Sequence, residues 1–308
     1  MSIVVIGTVF VDVKGFPEGT YIPAGRNAGN IEEVHGGVAR NVAENIANVE
    51  LRPTFVSLVD ESGSAKAVVE KLKRHKINTD YVKATADGMG TWLAIFDHTG
   101  DVVASISKRP NLMPMVDVLK EHGEEIFKNC DTVAIEIDID KEIVKEALDW
   151  AEKYKKPVYA LISNMTIAIE RRDFIKRTAC FVCNEQEAEM FFYENLKDLE
   201  PEEMAKTLSK KIKAAGINSM IVTMGGRGAA YASSDGSYGV CQPKNVSVID
   251  TTGAGDAFFS GVTIGLTYGK TMAEACEIGS RMAASVICTK ENTCPRFLPE
   301  EFGLESKG

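Results

Sequence analysis

The run Asp250-Thr251-Thr252-Gly253-Ala254-Gly255-Asp256-Ala257-Phe258-Phe259 carries the most chemistry in the chain. An apolar stretch, Val246 to Ile249, precedes it and reads as a short strand. Phe258, Phe259, Val262 and Ile264 behind it read as a helix. The first turn of a helix presents N–H groups with no internal acceptor, and its dipole favours negative charge. Gly253, Ala254 and Gly255 keep side chains off that turn, so a phosphoryl group can approach the backbone closely. Asp256 lies inside the same turn. There it would be stabilised as the anion without a raised pKa, and it could take a proton from a hydroxyl held beside the incoming group. The same residues also read as an ordinary helix start, with Asp250 or Thr252 as the cap. No stretch of the chain supplies the P-loop pattern GxxxxGK[ST].

Four other clusters have the types to serve such a centre. Gly36-Gly37 opens a helix with Asn41 in its first turns and allows close backbone approach to a polar ligand, or simply makes a tight loop. Asp12 follows the first strand, where a carboxylate can hold sugar hydroxyls or remain plain surface. Asn184-Glu185-Gln186-Glu187 follows a buried strand at the edge where α/β sheets bind ligands. Glu187 could organise hydrated Mg²⁺ through water, or close a capping box. Thr223-Met224-Gly225-Gly226-Arg227-Gly228 ends another strand in glycines and either passes over a nucleotide phosphate or makes a turn.

The elements that must position these residues follow from periodicity. Ile3 to Ile6 is a continuous β-branched run, the pattern of a strand buried on both faces. Val38, Val42, Ile46 and Val49 recur at helical spacing. From residue 112 the rhythm is regular: strands Thr132 to Ile137, Val158 to Ile162, Cys180 to Cys183 and Ser219 to Thr223 alternate with helices, one of them near Ala168 to Lys176. Two long helices, Ala254 to Leu266 and Met272 to Val286, follow. This predicts an α/β fold with a mostly parallel sheet covered on both faces. Residues 8 to 34 are rich in turn residues, and Thr91 to Phe96 and Val102 to Ile106 flank the hairpin signal Asp97-His98-Thr99-Gly100. Together they predict a β flap.

Composition narrows the partners. The 308 residues carry 35 Lys and Arg against 44 Asp and Glu, a net charge of −9, with no basic excess for a nucleic-acid polymer. No apolar run approaches a membrane span, and the N-terminus lacks a signal-peptide pattern. Seven cysteines, an odd number, do not read as a disulfide scaffold. Cys180 and Cys183 read as core thiols. The expected location is the cytoplasm. Gly7-Thr8-Val9-Phe10 after the first strand is not GxGxxG, which argues against a dinucleotide oxidoreductase.

These pieces resemble the PfkB, or ribokinase-like, family of sugar and nucleoside kinases over about residues 2 to 300. Gly36-Gly37-Val38-Ala39-Arg40-Asn41 looks like its N-terminal signature, and Asp250 to Phe258 like its C-terminal one. The resemblance implies one domain over 1–308: a three-layer α/β/α core interrupted by β-sheet lid segments at about 8–34 and 88–110. It implies Asp256 as general base, with Gly253, Ala254 and Gly255 as anion hole. Asp12, Gly37 and Asn41 would contact the acceptor. Asn184, Thr223, Gly225 and Gly228 would lie at the nucleotide, and Glu187 at Mg²⁺. The implied cofactors are ATP and Mg²⁺. Asp250 and Thr252 look like part of a monovalent cation site whose other half is not evident in the sequence, so K⁺ stays open. Such enzymes often pair their lids, which implies a homodimer.

Two segments depart from the family pattern. Leu58-Val59-Asp60-Glu61-Ser62-Gly63 lacks a first glycine, and Cys288 to Pro295 lacks a late one. Within the family the nearest likeness is to pseudouridine kinases, carried by Gly36 to Asn45, Asp97 to Asp101 and Thr289 to Pro295. The expected acceptor is therefore the 5′-hydroxyl of pseudouridine. Phe10, Trp92 and Ile106 would cover its base, and Lys108 or Arg109 would meet its polar edge. Ribose, fructose or a keto-deoxy sugar acid is the alternative within the family, and a non-catalytic sensor the alternative outside it.

Overall fold

Ile3 to Ile6 form β1, and all four side chains are buried because the strand runs through the middle of a sheet covered on both faces. Val4 and Ile6 enter one core, Ile3 and Val5 the other, as the two-residue period of a strand requires. The computed structural model describes residues 1–98 and 101–304, so Thr99 and Gly100 of the expected hairpin turn lie outside the described residues.

The other strands are β2 (Phe10–Pro17), β3 (Gly29–Gly36), β4 (Thr54–Val59), β5 (Val82–Ala84), β6 (Gly90–Phe96) and β7 (Val102–Lys108), then β8 (Thr132–Glu136), β9 (Val158–Leu161), β10 (Cys180–Asn184), β11 (Ser219–Thr223), β12 (Ala229–Ser233) and β13 (Tyr238–Cys241). Nine of them make one sheet in the order β13-β12-β11-β10-β9-β8-β1-β4-β5. Pairing is parallel from β11 to β5, and β12 and β13 add an antiparallel hairpin at one edge. Helices Met115–Asn129, Lys141–Lys153 and Pro201–Ala215 bury their apolar stripes on one face. Helices Val38–Asn48, Gly63–Arg74, Ala254–Thr267 and Met272–Ile287 cover the other. This is the expected ribokinase-like three-layer α/β/α core with its mostly parallel sheet.

The remaining four strands form a separate mixed sheet, β3-β2-β6-β7. It leaves the core after β1 and returns at Gly36, straight into the helix that carries Asn41. Its register fixes which side chains share a face. Asp12 pairs with Trp92 and Trp92 with Ser107, whereas Leu93 pairs with Val13 and with Ile106.

Two local expectations fail. Val246 to Ile249 is not a strand: the sheet ends at β13, no neighbour pairs with this run, and Val248 and Ile249 are each 60% exposed. The helix near Ala168 to Lys176 is two short ones, Met165–Ile169 and Arg172–Ile175, interrupted at Glu170-Arg171. Helix Met115–Asn129 and strand β5 were not anticipated. Cys180 and Cys183 are buried free thiols, as expected of core positions, and burial pushes the Cys180 thiol up to about 12.

Candidate active site

Helix Ala254–Thr267 starts on Gly253, whose φ of 80° and crowding demand glycine: a Cβ there would sit 2.1 Å from the Asn292 carbonyl oxygen. A Cβ on Gly255 would meet nothing within 4 Å, so the first turn is open to a ligand as well as short of acceptors. Asp256 points back from this turn, and its Oδ2 accepts a hydrogen bond from Asn41 Nδ2 at 2.7 Å. Asn41 is delivered by the facing helix Val38–Asn48. The N-cap of that helix, Gly37, has φ 98° and lies so close to the Thr8–Phe10 backbone that any side chain would collide with it.

Burial pushes the Asp256 carboxyl up to about 7, against the opposing pull of the Asn41 amide and the Arg40 charge, while Asp12 adds to the rise. The sequence reading, in which this carboxyl needed no raised pKa, is corrected here. The helix end faces a protein-walled cavity, and desolvation outweighs the dipole.

That cavity measures about 750 Å³ and gathers Asp12, Gly37, Asn41, Thr252, Gly253 and Asp256 from across the chain. The lid covers it with Phe10, Asp12, Trp92 and Ser107, which share one face of the small sheet. Ile106 is not among the covering residues: its pairing with Leu93 puts it on the opposite face, where it is 69% exposed. Lys108 is held by Asp87 at 2.9 Å, whereas Arg109 lines the cavity. Burial also raises the Asp12 carboxyl, partly offset by Lys14 and Arg40.

The lining residues that escaped the sequence reading include Glu136, Asp138, Ser163 and Arg171. Glu136 Oε2 accepts from the Thr8 N–H at 2.9 Å and from Thr8 Oγ1 at 2.8 Å, and Oε1 accepts from Ser163 Oγ at 3.1 Å. Burial, then the neighbouring Asp138 charge, lifts its carboxyl well above the ordinary range. The available signal was a buried strand, β8, running out into Glu136-Ile137-Asp138 at its carboxyl end.

The nucleotide-side candidates lie outside this cavity lining. Asn184 and Glu187 form a capping box: Asn184 Oδ1 accepts from the Glu187 N–H at 2.9 Å, and Glu187 Oε2 from the Asn184 N–H at 2.7 Å. Burial raises the Glu187 carboxyl, the Asn184 N–H opposes the rise, and the Asp138 charge adds to it. Thr223 pairs with Asn184 across β10 and β11. Gly225 and Gly228 close the following turn through a 3.1 Å bond. Asp250 Oδ1 accepts from the Thr252 N–H at 2.8 Å. Neither departing segment opens the site. Ser62 caps helix Gly63–Arg74, and Cys294 is tied down by Asn45 Oδ1, which accepts its N–H at 2.7 Å.

Among the described residues no three His, Cys, Asp or Glu side chains converge as a metal cage, and no helix is long and apolar enough to cross a membrane.

The comparisons agree with this geometry. The family model "pfkB family carbohydrate kinase" matches residues 1–300. A guanosine-inosine kinase of Exiguobacterium acetylicum is 33% identical over 294 residues, covering 94% of this chain and 96% of the relative. A pseudouridine kinase of Escherichia coli K12 is 27% identical over 278 residues, covering 89% and 86%. The expected nearest likeness to pseudouridine kinases is therefore overturned, because the guanosine-inosine kinase matches more of the chain at higher identity. The Arabidopsis thaliana ribokinase solved with ribose and ATP superposes with a TM-score of 0.83 at 19% identity, covering 97% of each chain. The chain belongs to the pfkB family of carbohydrate kinases, ATP-dependent phosphotransferases of sugars and nucleosides.

Proposed function

We propose that this enzyme transfers the γ-phosphate of ATP to the 5′-hydroxyl of a purine nucleoside, with Asp256 as the general base. The observation that carries this reading is Asp256 itself: a carboxylate at the cavity wall, raised to about 7, beside an open helix first turn. A group poised near neutrality accepts a hydroxyl proton efficiently, and the turn receives the transferred phosphoryl group. Gly253, Ala254 and Gly255 form the anion hole. Asp12, Gly37, Asn41 and Glu136 hold the sugar, and Phe10 and Trp92 cover a base. A purine fits the guanosine-inosine relative and a cavity of this size, whereas free ribose would leave the aromatic wall bare.

The chain's residues fit ATP and hydrated Mg²⁺. The first turn of helix Ala254–Thr267 is an anion cradle, and the strand-end residues Asn184, Thr223, Gly225 and Gly228 share an edge of the sheet with it. Glu187, helped by Asp138, would hold Mg²⁺ through water, since no protein cage among the described residues competes for the ion. The ion supplies charge neutralisation at the phosphates. Asp250 and Thr252 are the residues that K⁺ would use. The seven free thiols fit a cytoplasmic enzyme.

We read residues 8–34 and 88–110 as a lid that shuts water out during transfer. Its outer face carries Ile31, Leu93 and Ile106, exposed by 74%, 40% and 69%. A second copy of the chain would bury that patch, and light scattering at the dimer mass is the expected result.

The deciding experiment is kcat/KM with Mg-ATP for guanosine, inosine, adenosine, pseudouridine, uridine and ribose. Guanosine or inosine should lead by at least about tenfold. Pseudouridine or ribose in front would overturn the substrate and leave the kinase.

A further inference from the structure

Arg40 and Glu44 are both fully buried, one turn apart on the helix that carries Asn41. Arg40 Nη1 lies 2.9 Å from Glu44 Oε1, and Glu44 Oε2 lies 2.9 Å from Lys71 Nζ on helix Gly63–Arg74. The remaining guanidinium donors leave the helix. Nε donates to the Gly36 carbonyl at 3.2 Å, and Nη2 donates to the His35 carbonyl. His35 and Gly36 are the last residues of the lid strand β3. The backbone N–H of Arg40 donates to the Thr8 carbonyl at 3.3 Å, at the point where the chain leaves β1 for the lid. One residue therefore touches the outgoing and returning connections at this end of the lid.

The contact reaches the cradle as well. Asn292 Nδ2 donates to the same His35 carbonyl at 2.8 Å, and the Asn292 carbonyl is the atom that excludes a side chain at Gly253. A buried ion pair is weak evidence for stability, because desolvation offsets the attraction. The planar fork on two successive carbonyls is the informative feature. A guanidinium makes such a fork and an ammonium does not.

We propose that Arg40 is a positioning residue for phosphoryl transfer: its guanidinium fixes the direction in which β3 leaves the core, and with it lid closure over the acceptor and the seat of Asn41 against Asp256. The groups facing it are Glu44 and Lys71 on the two helices, His35 on the lid strand, and Asp12 and Asp256 across the cavity wall. Its charge also lowers the Asp12 and Asp256 carboxyls.

Arg40→Lys and Glu44→Gln in the full chain separate positioning from stability. Arg40→Lys keeps a charge for Glu44 and loses the fork. The acceptor KM should rise by about tenfold or more, and ATP hydrolysis without acceptor should rise relative to kcat. The KM for ATP should stay within about twofold, since the Asn292 bond to the His35 carbonyl remains in this variant and keeps Gly253 seated. Glu44→Gln keeps the fork, so its acceptor KM should stay near wild type even as Tm falls. A wild-type acceptor KM and hydrolysis ratio in Arg40→Lys would overturn the proposal. So would equal acceptor defects in both variants that track Tm. Should Arg40→Lys fail to fold, the pair Arg40→Met with Glu44→Met removes both buried charges. A raised acceptor KM in that folded pair supports the positioning role, and a wild-type acceptor KM overturns it.

Discussion

Asp256 and Glu136 both line one cavity, and burial raises both carboxyls, yet their surroundings suit different work. Asp256 accepts one side-chain hydrogen bond, on Oδ2 from Asn41, and its other oxygen takes no side-chain donor among the described residues. Glu136 accepts three, two from Thr8 and one from Ser163, with Asp138 beside it. A base needs a free oxygen and a pKa near neutrality. A holder needs a fixed orientation, which saturation by donors supplies. On the proposed reading, similar desolvation gives two roles, and the count of donors tells them apart.

The largest test of that contrast is Asp256→Asn. It should leave ATP binding intact and lower kcat by about 10² to 10⁴-fold, the usual reach of general-base catalysis. Turnover of the wild enzyme should fall about tenfold per pH unit below the Asp256 pKa of about 7. Stability runs the other way. Both carboxyls have raised folded pKa values, so between about pH 4 and 7 the native chain binds more protons than the unfolded one, and stability declines as pH rises. Asp256→Asn should therefore melt no lower than wild type at pH 8. Wild-type turnover, or a Tm well below wild type, would break the assignment.

Glu136→Gln comes next. A charged hydrogen bond to a sugar hydroxyl is worth about 1.5–3 kcal/mol, so kcat/KM for the acceptor should fall about 10- to 100-fold. The loss should appear mainly in the acceptor KM, with kcat and the KM for ATP little changed. A kcat loss as large as that of Asp256→Asn would mean that the two carboxylates act together, and the division of labour would fail.

The two carboxylates also differ in how far the sequence revealed them. Asp256, Asn41 and Gly37 are legible because each sits at a glycine-marked helix start, where local sequence alone dictates exposed N–H groups and positive φ. The parallel core is legible for a similar reason: β1 is a continuous apolar run and β8 is apolar from Val133 to Ile135, a pattern that a doubly covered sheet explains. Glu136 has no local mark. Its meaning depends on Thr8 and Ser163, each brought to it by a neighbouring element, and nothing near residue 136 announces either. The lid faces were hidden for a different reason. Alternation in β6 and β7 assigns two faces but not which one looks inward, and a shift of one residue would have exchanged Trp92 for Leu93 and Ser107 for Ile106. Val246 to Ile249 misled because an apolar run suggests a strand, while a strand also needs a free neighbour to pair with.

Thr8→Val is the smallest and sharpest test. The hydroxyl supplies one of the two Thr8 bonds to Glu136 Oε2, and the backbone N–H supplies the other. Valine keeps the shape and the N–H and removes one donor from a buried carboxylate. If saturation is what makes Glu136 a holder, its orientation loosens and its pKa climbs further, since a bond favouring the charged form is gone. A lost hydrogen bond of about 0.5–1.5 kcal/mol corresponds to roughly a 3- to 10-fold rise in the acceptor KM. The rise should shrink at higher pH, where Glu136 is driven back to the carboxylate, and kcat at saturating acceptor should hold. An effect equal to that of Glu136→Gln would show that one hydroxyl controls the whole carboxylate. A fall in kcat with no change in KM would move Glu136 from holding the sugar to the reacting centre.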